Sequence, residues 1–305
     1  MRIDDLRTSQ NIEDRRGDDG GGFGGGSGPS GIGFGGGRLG IGTVIVLGLV
    51  GWALGINPAI LIGGAEMIAG GSSSSVQQRQ SAPTRPGAPS DQVGTFVAKI
   101  LGETEDVWSQ VLPQQANREY VAPRLVLFSG ATRSECGAAQ AAMGPFYCPV
   151  DQKVYLDTSF FQEMQRRFGG GGDFAYGYVI AHEVGHHVEN LLGILPKVQQ
   201  AQRRGDRTEA NALSVRVELM ADCLAGVWAN KMNARHNNID ENDVRQAVAA
   251  ATAIGDDKLQ KQAQGYVVPD SFTHGSSEQR VRWLTIGLKG GDIRQCNTFQ
   301  QNVRL

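Results

Sequence analysis

The stretch that most restricts how this chain can fold is GGGGDFAYGYVIAHEVGHHVENLLG, residues 169–193. A glycine-rich entry, Asp173 as N-cap, Gly193 as stop and Pro196 just beyond it predict a helix between them. Inside that helix His182 and His186 stand four positions apart, with Glu183 beside the first. Side chains at i and i+4 stack on one face, so two of the chain's five histidines aim at one point. A helix that carries such a pair needs a second element to close over it.

The frame H-E-x-x-H has a chemical reading. Zinc takes neutral imidazole nitrogens, and a catalytic zinc needs three protein ligands plus an open position for water. His182 and His186 supply two. Glu183 points off to the side, where it reaches the water rather than the metal. Gly185, between the ligands, leaves room for another segment to pass close. The third ligand is not the histidine of a metzincin, because Glu189 and Leu192 stand where that pattern needs Gly and His. The next long helix offers an alternative. It is expected to start at Asp206, with Glu209 completing a capping box, and its apolar stripe runs Leu213, Val217, Met220, Leu224, Val227. Within VELMADCLAG, Glu218 and Asp222 again lie at i and i+4. A carboxylate pair on an amphipathic helix is often only solvated. Here it borders an apolar stripe and a cysteine, so Glu218 is read as the third ligand. Asp222 is read as the acceptor for the free nitrogen of a ligating histidine.

With GPFYCPVDQKVYLD upstream and SFTHGSSEQRVRW downstream, these motifs resemble the bacterial putative neutral zinc metallopeptidases, single-pass membrane-anchored relatives of the gluzincins. The resemblance extends over most of residues 1–300 and implies a gluzincin-like fold with one zinc ion per chain. It also implies that His274 serves the developing oxyanion, and that an edge strand above the metal helix, sought around Tyr155, pairs with an extended substrate. Tyr155 itself is read as packing. His187 is read as a surface or hydrogen-bonded residue.

The expected fold class is α+β, mostly helical with a small sheet. PRLVLFSG and QKVYLDTSF have the β-branched and aromatic content of short strands. Helical periodicity covers residues 91–112, 241–263 and a last segment from Ser276. Residues 1–38 are expected to be a glycine-rich flexible tail, 66–90 a Gly/Ser/Pro linker and 91–305 the metallopeptidase domain. Residues 39–65 contain no ionisable side chain, long enough for one transmembrane helix. Arg38 on one side, with no basic residue before Arg79 on the other, favours a tail in the cytoplasm and a domain outside the cytoplasmic membrane. The four cysteines fit export as two disulfides, Cys136 with Cys148 and Cys223 with Cys296.

A net charge of −2 with mixed signs gives no electrostatic footprint for nucleic acid. The partner expected is a peptide or protein substrate, cleaved by a zinc-activated water with Glu183 as general base. Two rivals are a zinc-stabilised envelope scaffold without turnover and a zinc amidase acting on cell-wall peptides.

Overall fold

The fold comes from a computed structural model that describes residues 1–17, 85–86, 89–140, 144–168 and 172–305. Its main sheet has five strands: β1 (Ile12–Asp14), β2 (Arg85–Pro86), β3 (Arg124–Phe128), β6 (Phe146–Cys148) and β7 (Lys153–Asp157). They lie in the order β2-β1-β3-β7-β6. β3 runs parallel to both β1 and β7, while the outer strands β2 and β6 are antiparallel to their neighbours. A separate hairpin joins β4 (Ala131–Ser134) to β5 (Gly137–Gln140). Strand β3 is buried from Leu125 to Phe128, as expected of a strand covered on both faces. Tyr155 packs as expected, its ring stacked 4.9 Å from that of Phe146. Its strand, β7, is however paired on both sides, so the free edge nearest the helices belongs to β6. That corrects the sequence-based placement of the edge strand.

The helices are α1 (Gln92–Ala116), α2 (Ser159–Phe168), α3 (Asp173–Leu191), α4 (Ile194–Gln202), α5 (Arg207–His236), α6 (Glu241–Ala253), α7 (Asp256–Gln264) and α8 (Ser277–Gly290). The capping boxes of Asp206 with Glu209 and Ser276 with Gln279 both form, which sets where α5 and α8 begin. The helix expected over 241–263 is broken at Gly255, because the start of α8 lies so close that a Cβ there would meet the Ser277 backbone. Core residues Ile100, Leu101 and Trp108 of α1, Phe174 and Val184 of α3, and Leu224 and Trp228 of α5 form one apolar cluster.

The N-terminal segment departs from expectation. Leu6 and Ile12 are buried in that same cluster, and Arg7 pairs with Glu105 and Asp106 of α1. Residues 1–17 are therefore part of the domain rather than of a flexible tail. The rest of the expected tail, the span 39–65 and most of the linker lie outside the described residues.

The expected single-pass anchor is corrected. No helix among the described residues is long and apolar enough to cross a membrane. The two long helices, α1 and α5, carry charges on every few turns. Topology opposes a single crossing as well. β1 is hydrogen-bonded to β2 and β3 in one sheet, whereas one passage between residues 14 and 85 would set those strands on opposite sides of a bilayer. With the anchor goes the support that its flanking charges gave to an extracytoplasmic placement.

Candidate metal centre

Helix α3 presents His182 and His186 on one face, and α5 presents Glu218 opposite them. The approach is close because Gly185 faces Ala221 across the two helices: a Cβ on Gly185 would stand 3.1 Å from the Ala221 carbonyl oxygen. His182 Nε2 lies 3.2 Å from Glu218 Oε2 and His186 Nε2 lies 3.6 Å from Glu218 Oε1. The rings sit nearly perpendicular, at 84°. One ligand atom from each of the three residues falls within 4.8 Å of the others, the one such group among the described residues.

The outer nitrogens are spoken for. His182 Nδ1 donates to Asp222 Oδ1 at 2.9 Å, and His186 Nδ1 donates to Glu189 Oε2 at 2.9 Å. A carboxylate on Nδ1 fixes the tautomer and turns the Nε2 lone pair inward. The donor set is thus two imidazole nitrogens and one carboxylate oxygen, converging from two rigid helices, which fits zinc.

Charge reinforces the geometry. Burial disfavours a proton on His182, but Asp222 and Glu218 outweigh it and push the pKa up to about 10. Burial likewise opposes the charge on Glu218, yet His274, His186 and His182 hold its carboxyl below the usual range. The cluster therefore favours positive charge between its ligands, and protons compete with a metal ion for the same lone pairs. Glu183 lies buried one residue from His182, outside the ligand triangle. Burial is the largest influence on it and raises its pKa.

His274 comes to the same region on the loop between α7 and α8. Asp256 gathers the backbone N–H groups of Thr273, His274 and Gly275 at 2.7, 2.6 and 3.0 Å, and its Oδ1 meets His274 Nδ1 at 3.2 Å. Gly275 takes a left-handed φ of 89°, and a Cβ there would lie 3.2 Å from Leu219 Cδ2, so the loop rests on α5 beside Glu218. Burial lowers the proton affinity of His274, but Glu218 and Asp256 more than offset it and raise its pKa.

His187 is hydrogen-bonded, as the sequence suggested. Its Nε2 donates to the Val121 carbonyl at 2.6 Å, and Nδ1 accepts from the Tyr147 hydroxyl at 3.0 Å. This bond docks edge strand β6 onto α3. Both expected disulfides form: Cys136–Cys148 ties the hairpin to β6, and Cys223–Cys296 anchors α5 to the C-terminal segment.

Three site residues escape the sequence reading. Glu189, noted there only as a mismatch to the metzincin pattern, is the partner of His186, and its signal is the i, i+3 spacing. Tyr178, four residues before His182, donates to Asp222 Oδ1 at 2.6 Å. Arg280 of α8 forks onto the same carboxylate, at 2.9 Å to each oxygen.

The sequence profile of a family described as putative neutral zinc metallopeptidase matches residues 1–299. "Uncharacterized protein YpfJ" of Escherichia coli (strain K12) is 47% identical over 307 residues, covering 99% of this chain and 100% of that protein. "Uncharacterized protein Rv2575" of Mycobacterium tuberculosis (strain ATCC 25618 / H37Rv) is 42% identical over 226 residues, 70% of this chain and 74% of its own. No solved structure matches the chain.

Proposed function

The chain belongs to the putative neutral zinc metallopeptidase family, and from that premise we propose that it is a zinc-dependent endopeptidase acting on peptide or protein substrates. The observation that carries the reading is the convergence of His182, His186 and Glu218, with a buried carboxylate behind each imidazole and Glu183 alongside.

His182 Nε2, His186 Nε2 and the Glu218 carboxylate would hold the metal. When bound, zinc supplies a Lewis acid that makes water acidic near neutral pH and polarises a carbonyl. Glu183 accepts the proton of the attacking water and returns it to the departing amine nitrogen. Burial lifts its pKa toward the range where such shuttling is efficient. His274, held by Asp256, donates to the oxygen that gains charge as the carbonyl carbon becomes tetrahedral. Asp222 and Glu189 keep the imidazoles turned. No protein nucleophile is used, which fits a chain whose four cysteines are all in disulfides. An extended substrate would find its main-chain partners on β6, the terminal strand of the sheet on the side of α3. Glu183 argues against a non-catalytic scaffold, since a structural zinc site needs no general base and closes its fourth position.

The test is zinc analysis of the full-length protein together with cleavage of a peptide library. Glu183→Gln should retain zinc while kcat/KM on the best peptide falls by ~10²–10⁴. Equal turnover by wild type and variant would refute the assignment.

A further inference from the structure

Asp222 sits at the centre of a bonded cluster that reaches well beyond the metal ligands. Its carboxylate is fully buried, and Arg280, 3% exposed, lies against it. The Arg280 guanidinium reaches Oδ2 through Nε and Oδ1 through Nη2, both at 2.9 Å. Oδ1 also accepts from Tyr178 at 2.6 Å and from His182 Nδ1 at 2.9 Å. Tyr178 in turn accepts from Arg280 Nη2 at 3.4 Å.

The backbone forces this arrangement. α8 crosses α5 at a pair of glycines, and a Cβ on Gly287 would collide with the Cys223 carbonyl, the residue after Asp222. That crossing sets Arg280, two turns earlier on α8, directly on Asp222. The Arg280 guanidinium has a further partner, since Nη1 donates to the Ile254 carbonyl at 3.5 Å.

We propose that Arg280 is a positioning residue for the metal centre: its two-pronged grip fixes the plane of the Asp222 carboxylate, and through it the direction of the His182 lone pair. The proposal rests on the metallopeptidase reading above. Rotating the carboxylate would break both prongs of the fork, so Oδ1 keeps its place under Nδ1 and the His182 ring cannot swivel. The simpler role for Arg280 is to neutralise a buried acid. The two roles separate cleanly, because lysine supplies the charge without the planar fork.

The experiment measures zinc affinity of the full chain by competition with a chelator, using zinc alone as the probe. Arg280→Lys should weaken binding by ~10–100-fold, the usual cost of losing a ligand's supporting partner. Made on top of Asp222→Asn, the same change should cost nothing further, because the carboxylate through which Arg280 acts is gone. Wild-type affinity in Arg280→Lys would overturn the proposal in favour of charge neutralisation, and losses that add in the double variant would overturn it in favour of a route that bypasses Asp222. If Arg280→Lys does not fold, Tyr178→Phe tests the same point from the other side: it removes one donor to Oδ1 but leaves the fork intact. Zinc affinity should then stay at the wild-type value, and a ~10–100-fold loss would assign the positioning to the tyrosine rather than to the fork and overturn the proposal. Failure of the wild type to bind zinc at all would instead overturn the metallopeptidase reading, and this inference with it.

Discussion

Gly185 and Ala221 hold helices α3 and α5 at backbone contact: a Cβ on Gly185 would lie 3.1 Å from the Ala221 carbonyl oxygen and 3.2 Å from its Cα. Both neighbours are main-chain atoms that cannot swing aside, so a larger side chain must separate the helices that carry His182, His186 and Glu218. Gly185→Val should cost about 1–3 kcal/mol of stability from overpacking and weaken zinc binding. Gly185→Ala should change stability less, since about 1 kcal/mol of helix propensity offsets the crowding. Urea unfolding and zinc titration of both variants check this ordering.

Glu189 supports His186 as Asp222 supports His182, but from the same helix. Glu189→Gln keeps the volume and removes the charge that receives the Nδ1 proton. Zinc affinity should fall by ~10–100-fold while circular dichroism stays unchanged. An affinity equal to wild type would leave Glu189 as a buried acid with no part in the site.

His274→Ala should leave zinc content intact and act on kcat rather than KM, because the contact forms as charge develops on the oxygen. A loss of ~10²–10³ is expected for one oxyanion donor. Asp256→Asn should follow in the same direction with a smaller drop, since it loosens the loop without removing the ring. Steady-state kinetics on one peptide resolves both.

The docking of residues 1–17 should be sensitive to acid. Arg16 pairs with Asp14 and Asp91 and holds both carboxyls below the usual range. Burial alone would raise Glu13, but Lys153 and Arg15 outweigh it and lower its pKa. Carboxyls depressed in the fold stabilise it above their unfolded values near ~4, and that contribution is lost as pH falls through the folded values. Hydrogen exchange of the first strand should therefore rise below about pH 4 before the helices open. Ile12→Ala, at a position 2% exposed, should destabilise the domain by about 2–5 kcal/mol at neutral pH, read by urea unfolding.

The candidate metal centre was legible because its signals are local. Two histidines at i, i+4 and two carboxylates at i, i+4 each define a helix face by spacing alone, and Gly185 marked the close approach. Arg280 was not legible, since nothing near it in sequence hints that its partner lies 58 positions away. The first residues misled for a similar reason. RIDDLRTSQNIEDRR looks like a solvated polar tail, yet its charges have fixed partners on α1 and β7, and its few apolar residues reach a core built by residues much later in the chain. Reading the uncharged run 39–65 in isolation led to a single membrane passage. The hydrogen bonds that join β1 to β2 and β3 on either side of that run are invisible to a hydropathy scan.

The place of β1 in the sheet also bears on the order of folding. Ile12 pairs with Leu125, over a hundred residues further along the chain, and strand β7 adds another parallel partner beyond that. On the ribosome the first strand emerges early and lacks its parallel partner until β3 has been made. Closing so large a loop costs entropy before any contact repays it, and such topologies fold slowly. The N-terminal strand is thus expected to join after the helical half has assembled, so that its insertion, rather than formation of the helix pair that brings His182, His186 and Glu218 together, sets the rate at which the finished domain accumulates.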